Sequence, residues 1–349
     1  MPILSADALA RFAIDLLAAG GVRADEAEKV GRSLVDANLR GHDSHGVVRI
    51  AQYLDQLAKE EIVTGAQFAV LRESDTLLAA DGHWGFGRVQ AGRLTERLIE
   101  KATRNGVAVG TLIRSSHIGR LGEYCELAAA AGLVSTLMVN THGVARRVAP
   151  PGGKAPRLGT NPIAMGAPAA DGPLILDFGT SATAEGKVRV KRIAGQSCPP
   201  GWLLDSEGRP TTDPATLYGD PPGTILPLGG EQAYKGFGLG LMVEIFAGAL
   251  SGGICAREQP LNQNGNCVFM QVISPEHLGG VDHFSREISC LLRFVRECPR
   301  VDGCAEILLP GDPERRTLAE RTKNGIPFDE GNWGQLLKLA ERFGVRAPA

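Results

Sequence analysis

The first sixty residues of the chain repeat apolar residues at the spacing of an α-helix. Apolar side chains recur every three or four positions between Leu9 and Leu17, after a capping residue at Ser5 and before Gly20 and Gly21. The same period covers residues 24–39 and returns over residues 47–59. The pattern predicts three helices that pack together, and the segment that starts at Gly41 connects the second helix to the third.

Short apolar runs replace this period in the middle of the chain. They predict strands at residues 67–72, 77–80, 107–113, 134–139, 174–178 and 268–273, with helices at residues 88–104 and 121–131. Helices are predicted again at residues 284–295, 313–323 and 333–343, interrupted by an extended piece at 305–309 and a turn at Pro310-Gly311. Residues 140–173 are rich in Gly and Pro without a clear element, which is typical of a functional loop.

These elements indicate an α/β (α+β) fold in three parts. Residues 1–75 form a helical part, residues 76–275 a central α/β domain, and residues 276–349 a second helical part that packs with the first. A chain of 349 residues with 43% hydrophobic content can bury a core of the size that these parts need.

Charge and composition favour a small ligand. The 37 basic and 39 acidic residues give a net charge of -2 without a long run of either sign, which argues against nucleic acid or a membrane surface as partner. No apolar stretch approaches the ~20 residues of a membrane helix, and residues 1–10 lack a secretory pattern, so we expect a cytoplasmic protein. The seven cysteines form no C-x-x-C pair, and reduced, mostly buried thiols are expected.

Residues 41–49 gather an unusual set of reactive side chains. The segment holds His42, Asp43, Ser44, His45 and Arg49 within nine positions. An imidazole can exchange a proton near neutral pH, and a guanidinium can bind a planar carboxylate through two hydrogen bonds. This set predicts chemistry on a small carboxylic acid, with Arg49 one helical turn beyond His45.

Nucleotide-binding motifs of the common kinds are absent from the sequence. No G-x-G-x-x-G follows a strand and no phosphate loop occurs, so a Rossmann fingerprint is excluded. The glycines of residues 234–240 are expected to precede an apolar helix at residues 241–250, where exposed amides could hold an anion. A tightly packed helix explains these glycines equally well.

Seven segments of the chain, in order, resemble the malate and lactate dehydrogenase-like oxidoreductases, a group unrelated to the Rossmann lactate and malate dehydrogenases. The group includes sulfolactate and ureidoglycolate dehydrogenases, diketogulonate reductase and reductases of cyclic imino acids, and the chain is most similar to its bacterial hydroxycarboxylate dehydrogenases. The segments are DSHGVVR, SSHIGRLGEY, PPGGKAPRLGTNPIA, LDFGTSATAEGKV, PPGWLLDSEGRPTTDP, YKGFGLGLMVEIFAGALSGG and ILLPGDPERR.

The resemblance implies a non-Rossmann nicotinamide-binding domain flanked by helices from both termini, usually in a homodimer. It implies hydride transfer between NAD or NADP and C2 of a 2-hydroxy or 2-oxo acid. His45 takes the place of the acid-base residue, although His117 has that role in some members. A neutral His117 beside a helix N-terminus could instead polarise the substrate carbonyl. Ser44 would orient the ring or the substrate, and Arg49 would bind the carboxylate.

By the same resemblance, a further set of residues lies along the cofactor together with His45. The set is Gly119, Arg120, Leu121, Thr160, Asp177, Phe178, Gly179, Thr180, Ser181, Lys235, Gly236, Pro310 and Gly311. Thr160 and Asn161 would shape the pocket wall, whereas His83 and His142 are expected to be structural.

Several alternatives stay open on the sequence alone. The same hydride donor could reduce a cyclic imino acid, and a metal-dependent hydrolase could use His42, Asp43, His45 and His117, although H-x-x-H lacks the glutamate of a zinc helix. No metal is therefore expected. Two sets of basic residues bear on specificity. Arg146 and Arg147 would favour a second acidic group or are surface charge, and Arg189, Lys191 and Arg192 would bind a 2′-phosphate or lie on a strand edge.

Overall fold

The computed structural model describes residues 2–258 and 264–348. Within them are ten α-helices: α1 (Ala6–Ala19), α2 (Ala24–Leu39), α3 (Ile50–Ala58), α4 (Gly87–Asn105), α5 (Gly122–Ala130), α6 (Glu185–Ile193), α7 (Ala233–Val243), α8 (Val281–Arg296), α9 (Asp312–Asn324) and α10 (Glu330–Phe343). The same residues contain twelve strands: β1 (Ile3–Leu4), β2 (Ala69–Glu73), β3 (Leu77–Gly85), β4 (Val107–Ser115), β5 (Val134–Asn140), β6 (Pro162–Ala167), β7 (Leu174–Gly179), β8 (Leu203–Leu204), β9 (Pro210–Thr211), β10 (Thr224–Ile225), β11 (Asn266–Ile273) and β12 (Ile326–Pro327).

The first two helices form as their sequence predicts. The Ser5 hydroxyl accepts a hydrogen bond from the Ala8 amide and caps α1, which ends before Gly20. Helix α2 spans the predicted residues, and its apolar face packs on α1 in one hydrophobic core. Residues of α10 and of β12 complete this core, which confirms that helices from the two ends of the chain pack together.

A seven-stranded mixed sheet occupies the middle of the fold, in the order β2-β3-β4-β11-β5-β6-β7. Strands β3 and β4 are parallel and joined through α4, while the other neighbours are antiparallel. Gly110 in β4 admits the side chains of Leu94 and Leu98, because a Cβ at Gly110 would lie 2.8 Å from Leu98. The sheet and helices α4 and α5 enclose the second core. The domain boundaries at residues 75 and 275 stay predictions.

The structure differs from the sequence pattern at two elements. Residues 140–173 were expected to lack an element, but residues 162–167 form β6, which pairs with β5 and β7. A basic strand edge is one expectation for residues 189–192, but these residues lie on helix α6. The alternation in Val188-Arg189-Val190 resembles a strand, yet the completely buried Val188 anchors a helix that covers the site. Strand β6 is not predicted because its six residues are mostly small and only weakly apolar, so they give too little periodicity.

The first residues of two helices also differ from their predicted positions. The third helix begins at Ile50 rather than at Val47, because residues 43–45 and 47–49 form two short 3₁₀ turns around an extended Gly46. Helix α7 begins at Ala233, so Gly236, Gly238 and Gly240 lie inside it and not before it. A Cβ at Gly236 would lie 2.3 Å from the Leu228 carbonyl oxygen, so close packing, one of the two explanations that the sequence left open, accounts for this glycine.

Helix α8 stands apart from both cores. Its apolar residues follow a helical period, yet none of its residues, all of which the structure describes, is buried. Phe294 and Leu291 are 77% and 57% exposed. In the described part of the chain, no helix is both long and apolar enough to cross a membrane.

Candidate active site

Two adjacent 3₁₀ turns carry the histidine segment. The Asn38 side chain, at the end of α2, accepts a hydrogen bond from the Val47 amide at 2.9 Å and donates one to Asp43 at 2.7 Å. A Cβ at Gly46 would lie 2.1 Å from Oδ1 of Asn38, so only glycine lets the loop approach this amide. The glycine and the asparagine therefore set the path of the backbone through His45.

Helix α9, from the other end of the chain, holds the segment from outside. Arg321 donates to both carboxylate oxygens of Asp43, at 2.7 and 3.0 Å, and Nε2 of His42 lies 3.4 Å from Glu314. This two-point ion pair engages both carboxylate oxygens of Asp43. Asp43 thus holds the loop in place, which a sequence motif of five reactive residues could not show.

The segment forms one wall of a cavity of about 810 Å³. This volume lies in the upper part of the range of small-molecule and cofactor pockets. Its walls include most of the residues that the sequence resemblance selected: Ser44, His45, His117, Gly119, Arg120, Leu121, Thr160, Asp177, Phe178, Gly179 and Ser181. The fold thus brings together side chains from four distant stretches of the sequence.

Two imidazoles face each other across this cavity wall. The rings of His45 and His117 are stacked, with centroids 5.5 Å apart and planes inclined by 15°. Ser44 Oγ lies 3.2 Å from Nδ1 of His45, and the Tyr53 hydroxyl lies 2.8 Å from Nδ1 of His117. Because Nδ1 of each ring is engaged by a hydroxyl, Nε2 is the nitrogen left for a ligand.

Burial, followed by the positive charge of Arg49, lowers the pKa of both His45 and His117 well below the usual value. Both rings are therefore neutral at pH 7 in the free protein. For His117 this agrees with the expected direction, but the helix N-terminus is not the cause. Helix α5 begins five residues later, at Gly122, and burial dominates.

Arg49 supports the histidine loop from below. Its Nε donates to the Ser44 carbonyl at 2.6 Å and its Nη1 to Gln52 at 2.7 Å, while Nη2 has no hydrogen-bond partner within the described residues. The side chain is buried, and it does not contribute to the described lining of the cavity. Burial and then the charge of Arg189 lower its pKa. Nη2 is therefore the nitrogen from which Arg49 can still donate to an anion.

Arg88 connects the two histidines through contacts that the sequence analysis missed. It is buried at the start of α4, donates to the carbonyl oxygen of His45, and donates through Nε to the Tyr53 hydroxyl at 3.4 Å. Glu123 lies 3.5 Å from its guanidinium and balances the charge. The signal was present, because Arg88 occupies the same helical face as the buried Ala91, Leu98 and Ala102.

Gly119 makes room for this arginine. Its φ of +86° is left-handed, and a Cβ there would lie 2.5 Å from Cζ of Arg88. The neighbouring Arg120 lines the cavity, but its terminal nitrogens are paired with Glu126 at 2.7 and 3.0 Å and with Asp36 at 3.2 Å. Arg120 is therefore a poor candidate for binding a substrate carboxylate.

Asp177 is a half-buried residue near the end of β7. Its Oδ2 accepts a hydrogen bond from the Gly122 amide at 2.7 Å, and burial raises its pKa. Ser181 and Thr183 follow on the same wall, and Lys187 and Lys191 extend it along α6. Hydroxyls and two cations one turn apart suit the ribose and phosphate groups of a dinucleotide, so these residues fit a nicotinamide cofactor.

Five of the expected cofactor residues lie outside the described lining of the cavity: Thr180, Lys235, Gly236, Pro310 and Gly311. Three of them are one contact away from it. Thr180 donates to the carbonyl of the lining residue Thr160 at 3.3 Å, Gly236 packs on the lining residue Leu228, and Gly311 is two residues before the lining residue Pro313. Lys235 is exposed and lies over the Tyr234 ring.

The remaining polar residues from the sequence analysis have structural surroundings. His142 is buried with Nδ1 2.9 Å from Cys267 Sγ, and Nδ1 of the exposed His83 lies 3.3 Å from the Gln67 carbonyl oxygen. Asn161 donates to Gly240 and Glu244, behind the wall that Thr160 forms. Arg146 and Arg147 lie outside the described cavity lining.

Metal and thiol chemistry gain no support at this site. No group of three potential ligands is arranged for a metal ion within residues 2–258 and 264–348. All seven cysteines are free. The expectation that most are buried was wrong, because Cys290, Cys298 and Cys304 are exposed on and after the unpacked helix α8.

The chain is similar to known proteins in both sequence and structure. Residues 4–337 match the family model described as malate/L-lactate dehydrogenase. Hydroxycarboxylate dehydrogenase B of Escherichia coli is 38% identical over 93% of this chain and 90% of its own. Malate dehydrogenase of Pyrococcus horikoshii superposes with a TM-score of 0.89 at 31% identity, covering 99% of this chain and 97% of its own. Delta1-piperideine-2-carboxylate reductase of Pseudomonas syringae superposes with a TM-score of 0.83 at 30% identity, covering 97% and 100%.

Proposed function

Because the chain belongs to the malate/L-lactate dehydrogenase family and is a hydroxyacid dehydrogenase, we propose that it transfers hydride between NAD or NADP and C2 of a small 2-oxo or 2-hydroxy acid in the cavity beside His45 and His117. The observation that carries this proposal is the pair of stacked imidazoles on a cavity wall. Reduction of a ketone needs one proton on oxygen as hydride reaches carbon, and two imidazoles supply that proton and a hydrogen bond.

The reduced cofactor, when bound, supplies the hydride. Ser181, Thr183, Lys187 and Lys191 are the residues that would hold its ribose and phosphate groups. We propose in addition that Gly119, Asp177 and the residues around Pro310 make the remaining contacts with the cofactor.

Although Arg49 is not among the described lining residues of the cavity, it is proposed to bind the substrate carboxylate through Nη2, because its Nε and Nη1 already donate to Ser44 and Gln52. This contact also affects the pKa of His45. After burial, the charge of Arg49 is the largest cause that lowers the pKa of His45. A bound carboxylate offsets that charge and raises the pKa of His45 toward the range in which imidazole donates a proton. Substrate binding thus shifts His45 toward the protonated form that reduction needs, and Ser44 orients its ring.

The experiment is a panel of 2-oxo acids with NADH and with NADPH, followed by loss of nicotinamide absorbance. Oxidation of the cofactor by at least one 2-oxo acid supports the proposal. His45→Ala should lower kcat by about 10²- to 10⁴-fold and leave nucleotide affinity unchanged. Folded protein that binds nucleotide but reduces none of the acids would overturn the substrate assignment. Near-normal turnover of His45→Ala together with loss in His117→Ala would exchange the two roles.

Reduction of a cyclic imino acid is the second candidate, and it is favoured by the structural likeness to the piperideine-carboxylate reductase. Such a substrate presents the same carboxylate and a planar C=N group in place of C=O. The same panel includes piperideine- and pyrroline-2-carboxylate. Activity with these imines and with none of the oxo acids would favour the second candidate.

We also propose that the protein is a cytoplasmic homodimer. Helix α8 has an apolar face with no partner in the described chain, and Leu291 and Phe294 lie exposed on it. Apolar surface of this kind is typical of an interface between subunits. Light scattering should give the mass of two chains, and the double variant Leu291→Ser with Phe294→Ser should lower it to one. A monomeric wild-type protein would overturn the proposal.

A further inference from the structure

The hydroxyl of Tyr53 links a cation to the ring of His117. Tyr53 is 1% exposed, and within the described residues its hydroxyl has two hydrogen-bond partners. One partner is Nε of Arg88 at 3.4 Å, and the other is Nδ1 of His117 at 2.8 Å. The direction of each hydrogen bond follows from the chemistry of the three groups.

A guanidinium only donates hydrogen bonds. The Tyr53 oxygen must therefore accept the N–H of Arg88. Within the described residues, Nδ1 of His117 is the one acceptor for the buried hydroxyl's own hydrogen, which would otherwise be left without a partner. That hydrogen can be given to Nδ1 only when Nδ1 carries no proton. A neutral His117 then carries its proton on Nε2, the nitrogen that points away from Tyr53.

His45 has a different surrounding. Its Nδ1 lies 3.2 Å from the hydroxyl of Ser44, and within the described residues no cation donates to that hydroxyl. A serine hydroxyl both donates and accepts, and it rotates to suit its partner. The ring of His45 can therefore gain and lose a proton while Ser44 adjusts, whereas the ring of His117 is held in one state.

We propose that Tyr53 is a positioning residue, whose hydroxyl, oriented by Arg88, holds His117 in the tautomer that presents Nε2–H to the cavity. His117 is then a fixed hydrogen-bond donor to the oxygen on C2, and His45 exchanges the proton. The catalytic part of this inference rests on the proposed function, but the tautomer itself does not. Arg88 also donates to the His45 carbonyl, so one buried cation positions both rings.

The variant Tyr53→Phe keeps the packing of the ring in the core and removes only the hydroxyl. Nitrogen NMR of protein with ¹⁵N-labelled histidine distinguishes a protonated from an unprotonated ring nitrogen. The wild-type protein, without ligand at pH 7.5, should show His117 with bare Nδ1 and protonated Nε2, assigned by its loss in His117→Gln. In Tyr53→Phe the other tautomer should appear.

Activity provides a second measurement. Loss of a catalytic hydrogen-bond donor costs about 10²–10³ in kcat, and partial loss of the correct tautomer in Tyr53→Phe should cost about 10- to 100-fold. The dissociation constant of the nucleotide should stay unchanged. Arg88→Lys, which removes the Nε donor, should loosen the tautomer in the same way.

Tyr124→Phe is the matched control. Tyr124 is also 1% exposed, and its hydroxyl donates to the backbone carbonyl of Ile118 instead of to a histidine. It should lose similar stability without changing the His117 tautomer. A wild-type His117 with protonated Nδ1, or an unchanged tautomer in Tyr53→Phe, would overturn the inference. The expected tautomers without activity on any acid or imine would instead contradict the proposed function alone.

Discussion

Gly119→Ala is expected to destabilise the protein by displacing Arg88, even in the absence of any ligand. The added Cβ would lie 2.5 Å from Cζ and 2.7 Å from both terminal nitrogens of Arg88. No real structure tolerates such distances, so the guanidinium must move. It then loses its hydrogen bonds to Ser33 and to the His45 carbonyl.

Two costs add to give the magnitude. Gly119 has a φ of +86°, which is in the left-handed region. Any residue other than glycine costs about 1–2 kcal/mol in this conformation. Loss of hydrogen bonds by a buried charged group costs a further ~1–3 kcal/mol. The free energy of unfolding should therefore fall by about 2–5 kcal/mol.

Urea unfolding of ligand-free protein measures this loss, and Gly132→Ala is its matched control. Gly132 has a similar φ of +77°, and a Cβ there would meet no atom within 4 Å. In this control, the free energy of unfolding should fall only by the backbone cost of about 1–2 kcal/mol. The difference between the two variants isolates the displacement of Arg88.

A double-mutant cycle with Arg88→Ala provides the decisive comparison. Once the guanidinium is absent, Gly119→Ala should cost no more than the control, so the two substitutions should couple by about 1–3 kcal/mol. Additive effects, or equal losses for Gly119→Ala and Gly132→Ala, would refute the reasoning that this glycine exists to admit Arg88.

Three further predictions concern the loop and its histidines. Arg49→Lys loses the Nε bond to the Ser44 carbonyl, so kcat/KM for the 2-oxo acid should fall about 10- to 100-fold with nucleotide affinity unchanged, and unaltered kinetics would contradict this role. Asp43→Asn weakens the pair with Arg321, and because Asp43 is 46% exposed we expect only ~0.5–1 kcal/mol in urea unfolding, together with a lower kcat. The pKa of His117 is lowered on folding, so the unfolded chain binds the extra proton, and the stability of wild type relative to His117→Gln should fall by up to about 1.4 kcal/mol per pH unit from pH ~6.5 down to the folded pKa. A constant difference between pH 7.5 and 5.5 would show that the folded ring titrates normally.

The sequence alone determined the elements whose signal is local. The capped helix after Ser5, the helix at residues 24–39 and the apolar strand at residues 268–273 all carry many residues of one period, and the structure contains each of them. The chemistry of residues 41–49 was also legible, because His45 and Arg49 are residue types that few structural needs place together. Family motifs extended this to residues that share no local pattern, such as Asp177.

Tertiary structure decided what each side chain is free to do. Asp43 carries the same carboxylate in any fold, but its pairing with Arg321 links residues 278 positions apart and holds the histidine loop in place. In the sequence, Arg88 and Tyr53 have the pattern of ordinary helix residues. Only the fold brings the Tyr53 hydroxyl between Arg88 and His117. The pKa of each histidine likewise depends on burial and on neighbouring charges, which are properties of three-dimensional distance. Periodicity records which face of an element is buried, whereas contacts between distant segments depend on how those faces are finally packed.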